Sequence, residues 1–133
     1  MNSLNQAIQD AYRSNGNQKE VNKAYLEFIK ANFIIPLEQQ CEVENPQVLF
    51  LKDDSKVFLP VFTEMAYLNA WAKPIKNDIK LLKLSAVDLL KGIGDEVTIS
   101  LDIGSAFYKE FRPEEIARMR SMVIKLFKNS TNH

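Results

Sequence analysis

The residues able to do chemistry are few, and their spacing does not favour catalysis. The only histidine, His133, is the last residue, and the only cysteine is Cys41. A serine, cysteine or threonine nucleophile needs a base within hydrogen-bond reach. A terminal imidazole, at the end of a polar KNSTNH tail where fraying concentrates, is a poor base. One thiol and one imidazole leave metal binding to carboxylates. The close pairs, Glu42 with Glu44 and Asp53 with Asp54, fall where turns and strand edges are expected and read as solvated surface. Glu64 and Glu110 could share acid and base work if folding brought them into one cleft, but nothing in their spacing asks for it. Gly92-Ile93-Gly94 follows a helix pattern and opens a strand, the reverse of a dinucleotide-binding turn, so it reads as a helix stop. The sequence points to no metal, no cofactor and no catalytic residue.

Charge narrows the partners. Lys and Arg total 17 and Asp and Glu total 17, so no whole-molecule field attracts nucleic acid or anionic lipid. Lys73, Lys76, Lys80, Lys83, Arg118, Arg120, Lys125 and Lys128 are spread without a dense run and read as a solvated face. The start, MNSLNQAIQD, lacks the basic and apolar regions of a signal peptide, and apolar runs such as residues 33–37, with Pro36 inside, are too short to span a bilayer. The lone Cys41 fits a reducing compartment. A cytoplasmic protein is expected, with secretion by a route that needs no Sec signal as the alternative.

The elements that must position any site follow from periodicity and punctuation. Leu4, Ile8, Ala11 and Tyr12 recur at helical spacing. Gly16 stops that helix, Asn17 caps the next, and Glu20 is placed for a capping box. The second helix carries Val21, Ala24, Tyr25, Phe28 and Ile29 on one face, so residues 1–31 predict a helical hairpin. FIIPL, VLFL and VFLPVF have strand composition, and the polar stretch from Lys52 to Lys56 turns the last two into a β-hairpin. Pro36 and Pro60, which donate nothing to a ladder, mark irregular strand positions. Thr63 reads as the N-cap of a helix that Pro74 stops. DIKLLKLS predicts a fourth strand, Ser85 a cap, and EVTISLDI a fifth strand. Pro113 starts the last helix with Glu114 and Glu115 at its N-terminus, and Ile116, Met119, Val123, Leu126 and Phe127 form its buried stripe. The order ααβββαβαβα and the absence of a repeat or long linker predict one α/β (α+β) domain over 1–133, with a mixed sheet of about five strands covered by helices.

Two stretches carry a resemblance. VLFLKDDSKVFLPVFTEMAYLNAW is similar to the segment of the SseB (enhanced serine sensitivity protein B) N-terminal domain family in which two strands lead into a Pro-Val-Phe-Thr motif and a helix. ISLDIGSAFYKEFRPEEIARM resembles that family's closing segment. The resemblance covers residues 33–120 and leaves the helical hairpin as a family cover or a local addition. Pro60, Phe62, Thr63, Trp71 and Pro113 are its structural signature. Arg112 departs from the pattern, because a Ser or Thr cap usually precedes the proline and a guanidinium cannot accept from an amide. Larger relatives carry a further C-terminal domain, for which this sequence has no room. The resemblance implies a bacterial cytoplasmic domain that binds or regulates and has no established chemistry.

The remaining candidates are apolar surfaces. Trp71 reads as core because Met65, Tyr67 and Leu68 crowd the same short helix. Gly104 implies a turn, so Phe107, Tyr108 and Phe111 cannot all face inward from one regular element. Gly104, Phe107, Tyr108, Glu110 and Phe111, with the start of the last helix, are the expected partner-binding surface. Edge strands could also pair between subunits as a homodimer. The leading expectation is a noncatalytic protein-interaction or regulatory module. A secreted bacterial effector is the alternative, and a small acid-base hydrolase comes third.

Overall fold

The computed structural model describes residues 2–38 and 48–131, so Cys41, Glu42, Glu44 and His133 lie outside the described residues. The chain opens with α1 (Ser3–Arg13) and α2 (Gln18–Lys30). Asn2 caps α1 by accepting from the Asn5 N–H at 2.8 Å. The stop is a Schellman turn: Asn15 and Gly16 both take positive φ, and their amides return to the carbonyls of Tyr12 and Ala11. Asn17 caps α2 as expected, accepting from Lys19 N–H at 3.0 Å. The expected capping box gives way to another arrangement, since the Asn17 N–H donates to Ser14 Oγ at 3.1 Å.

Among the described residues six strands form two sheets, where one sheet of about five was expected. β1 (Asn32–Glu38) pairs antiparallel with β4 (Ile79–Ser85). The second sheet runs β2 (Leu51–Asp53), β3 (Lys56–Val61), β5 (Val97–Leu101) and β6 (Lys109–Phe111), with β3 and β5 parallel and the other pairs antiparallel. Among the described residues two bridges link β1 to the chain of the second sheet: Ile34 and Phe62 exchange both backbone hydrogen bonds, and Leu37 meets Val48 ahead of β2. The sixth strand, β6, escaped the sequence because three residues are too few to show alternation. The β-hairpin is present, with a tighter turn than expected at Asp54, which takes φ 55°. Pro60 is tolerated because β2 pairs only as far as Phe58, leaving Ser100 of β5 as its one ladder partner.

Helix α3 (Met65–Ala72) runs into a 3-10 segment, Lys73–Asp78, that contains Pro74. Ser85 caps α4 (Ala86–Gly92) through the Asp88 N–H. Helix α5 (Pro113–Thr131) starts at its proline. Arg112 offers no side-chain cap, but Glu115 Oε2 accepts the Arg112 N–H at 2.9 Å, supplying the reciprocal half of a capping box.

Two apolar clusters flank the second sheet. Leu59, Val61, Ile99 and Leu101 point into the larger one, with Leu4 and Ile8 of α1, Phe28 of α2, Leu90 of α4, and Ile116 and Met119 of α5. Phe28 lies between Phe33 and Phe111, with ring centroids 4.8 and 4.9 Å away. On the other face Phe62, Leu68 and Ala72 make a small cluster with Ile34, Trp71 and Ile103 packed against it. The α5 stripe is shorter than expected: burial ends at Val123, while Leu126 and Phe127 are about half exposed, because the helix runs past its supports. Arg120 also departs from the solvated face. It donates to the Leu90 carbonyl at 2.6 Å, to the Ile93 carbonyl and to Asp95 at 3.0 Å, closing the C-terminal end of α4.

Candidate functional site

The strand ends carrying Thr63 and Asp102 sit side by side because β3 and β5 run parallel. Asp102 directly follows β5 and takes φ 52°, a left-handed backbone that Asp adopts more readily than most residues. Its N–H donates to the Val61 carbonyl at 2.8 Å, and its side chain turns inward, with the residue fully buried. Oδ1 accepts the Thr63 N–H at 2.8 Å. Oδ2 accepts Thr63 Oγ1 at 2.8 Å and Asn5 Nδ2, from α1, at 3.1 Å. Asn5 is equally buried.

Burial pushes the Asp102 carboxyl above its ordinary range. The Thr63 and Asn5 donors pull it back, and the nearby Glu64 adds to the rise. Tyr67 reaches Asn5 Oδ1 with its hydroxyl at 3.5 Å, and burial followed by the charge of Glu64 raises its pKa. Every buried side-chain nitrogen and oxygen among the described residues has a partner. Thr63 is therefore no helix cap: α3 starts after Glu64, which makes no side-chain cap bond, and the hydroxyl expected to serve there is turned to Asp102.

Asp102 also shapes the chain that follows it. Its carbonyl accepts the Ser105 N–H at 3.1 Å and Ser105 Oγ at 2.7 Å, and Ser105 Oγ accepts the Phe107 N–H at 3.0 Å. Gly104 takes φ 86°, and a Cβ built on it would stand 3.8 Å from Trp71 Cδ1, an ordinary contact. Glycine is required there by backbone conformation. Trp71 is only partly buried, its ring tilted against Phe62 at 5.4 Å and lying next to Gly104.

The expected surface residues divide. Phe111 belongs to the core, 1% exposed against Phe28, because β6 turns it inward. Tyr108 is 36% exposed and donates to Glu110 at 2.7 Å. Phe107 is half-buried, 6.1 Å from the Tyr67 ring. Glu64 lies 2.8 Å from Asn2, whereas Glu110 borders a groove that does not include Glu64.

Three concavities adjoin along this loop. One of about 370 Å³ lies in the crotch of α1 and α2 against Phe111. A second, more polar, runs over Lys109, Glu110, Arg112 and Glu114. A third, of about 290 Å³, separates Asn5, Ile8 and Gln9 from Ala106, Phe107 and Tyr108. Tyr12 borders all three and is 63% exposed. The helical spacing placed Tyr12 in the buried stripe of α1; the structure puts it at the C-terminal end of that stripe, on the rim of the concavity it shares with Val21 and Ala24 of α2. No sequence signal distinguished it from Ile8.

The floor of the first concavity is organised by Glu115. It accepts from Tyr25 Oη at 3.1 Å and pairs with Lys109 at 3.3 Å. Burial, then the Glu115 carboxylate, pushes Tyr25 up to about 12, although the Arg118 guanidinium 5.7 Å from its ring opposes the rise. Among the described residues no group of three His, Cys, Asp or Glu side chains could hold a metal ion, and no helix is long and apolar enough to cross a membrane. The first and third concavities are lined mainly by apolar and aromatic side chains, and the second by charged ones.

The SseB protein N-terminal domain matches residues 4–118, and the chain belongs to that family. The match includes both helices of the opening hairpin, so this cover is part of the family domain. No curated protein and no solved structure gives a significant match.

Proposed function

We propose that this chain is a noncatalytic protein-interaction or regulatory module of a bacterial cell, whose binding surface is the groove between α1 and the loop from Gly104 to Lys109. The observation that carries the reading is the convergence of three concavities on the exposed ring of Tyr12, with Tyr108 on the facing wall. Amphipathic aromatics beside half-buried apolar side chains are the usual anchors of protein interfaces. The polar chemistry next to the groove is already committed: Asp102 and Glu115 each hold internal donors, which supports binding over acid-base work.

The test is affinity capture from a lysate of the source cells with wild type, Tyr12→Asp and a distant control, Leu81→Asp on the exposed side of β4. The reading expects a partner that survives the control and is lost with Tyr12→Asp, each variant having an unchanged circular-dichroism spectrum. A partner indifferent to Tyr12, or lost equally with both variants, would overturn the groove as the surface.

A further inference from the structure

We infer that Asp102 is the positioning residue of this groove, a clasp whose carboxylate holds the α1 wall and whose carbonyl holds the loop wall, so that the two move as one. The inference rests on the groove reading for its purpose and on separate observations for its geometry. Asn5 projects from the α1 wall and ends on Asp102 Oδ2. From the same residue the carbonyl holds Ser105, which holds Phe107 in the opposite wall. One amino acid therefore links Asn5 to Phe107, two residues that line the third concavity, and Tyr67, which reaches Asn5 with its hydroxyl and Phe107 with its ring, adds a weaker second link.

Three features set this apart from an ordinary loop contact. The residue is completely buried, its donors are all neutral, and its backbone is held in the left-handed region. A buried carboxylate without a cation is costly, and a left-handed non-glycine residue adds strain, so the surrounding contacts must over-determine both. Asp102 itself borders none of the three concavities. Its influence on a ligand would pass through the walls. Loosening the clasp would let α1 and the loop separate and would change the width of the groove, which makes it the natural point of control over that surface.

Native-state amide hydrogen exchange on the full chain tests this with Asn5→Ala, which cuts the α1 tie, and Asp102→Asn, which keeps a residue tolerant of the left-handed backbone but removes an acceptor. Exchange at the Ser105 and Phe107 amides is expected to rise about tenfold or more, the equivalent of one lost buried hydrogen bond, while Ile99 and Phe28 amides stay protected. Unchanged loop exchange would overturn the clasp. So would acceleration of loop and core by the same factor, because that marks global destabilisation. This readout needs no partner: failure of wild-type capture falls on the groove reading, whereas an unmoved loop falls on the clasp.

Discussion

Asp102 receives both the backbone N–H and the hydroxyl of Thr63, each at 2.8 Å, so the two parallel strand ends are joined by a side-chain pair where the ladder stops. Thr63→Val keeps the shape and deletes the hydroxyl, leaving Asp102 Oδ2 with Asn5 alone. A loss of about 1–3 kcal/mol is expected in urea denaturation, with Thr63→Ser restoring most of it. Equal stability of Thr63→Val and wild type would contradict the pairing.

The raised pKa of Asp102 gives a pH signature. An acid that holds its proton more tightly when folded stabilises the fold fully below its unfolded value of 3.8, and that contribution is lost as pH rises through the folded value. Wild type should therefore lose stability relative to Asp102→Asn as pH climbs from 3.8 toward neutrality, and the gap should then level off. Parallel denaturation midpoints across that range would show that burial leaves the carboxyl unperturbed.

At the alkaline end Tyr25 dominates. Its hydroxyl is pushed up to about 12 from 10.0, so the stability it contributes is complete below 10 and disappears as pH rises through 12. Ultraviolet titration should show a late tyrosinate step near pH 12 that Tyr25→Phe removes. The same substitution should cost about 1 kcal/mol at pH 7 through the lost bond to Glu115.

Arg120 should matter more than its place on a surface helix suggests. Arg120→Lys retains the charge but cannot reach the Leu90 and Ile93 carbonyls and Asp95 together. A cost of about 1–3 kcal/mol is expected from thermal or urea unfolding. By contrast, Arg118→Lys should cost about 0.5–1 kcal/mol, since it gives up one exposed bond to Asn22 and a stacking contact with Tyr25.

The two aromatic walls should part company on substitution. Phe111→Ala empties a core site and should lose about 3–5 kcal/mol, whereas Tyr12→Ala should change stability by no more than about 0.5 kcal/mol. Denaturation of both variants under one set of conditions checks the contrast.

Much of the fold was legible because its elements obey local rules. The Gly16 stop, the Asn17 and Ser85 caps and the Pro113 start are each decided by a few neighbouring residues. The hairpin was visible as two β-branched runs around an Asp-Ser turn. What stayed hidden is decided by partners far away in sequence. Asp102 looks like an ordinary strand-end residue, and nothing local says that Asn5, from an amphipathic helix, will meet it. Thr63 has the credentials of a cap and is diverted because Asp102 is the better partner. The loop's aromatics do not share one environment, as Gly104 implies, but which of them turns inward depends on β6, a strand too short to show alternation. Leu126 and Phe127 keep the period of the core stripe after the core has ended.

The bond from Asn5 to Asp102 spans 97 positions. During synthesis from the N-terminus, α1 and α2 leave the ribosome early and can pair at once, as their contacts are local. Yet the polar end of α1 has no acceptor until β5 has emerged and laid itself beside β3. Until then α1 can pair with α2, but its Leu4 and Ile8 lack the cover of Ile99 and Leu101 and the Asn5 amide meets only water. Helix α1 is made well before the strand that secures it, and a chain interrupted ahead of β5 would carry an α1 paired with α2 but not tied to the sheet.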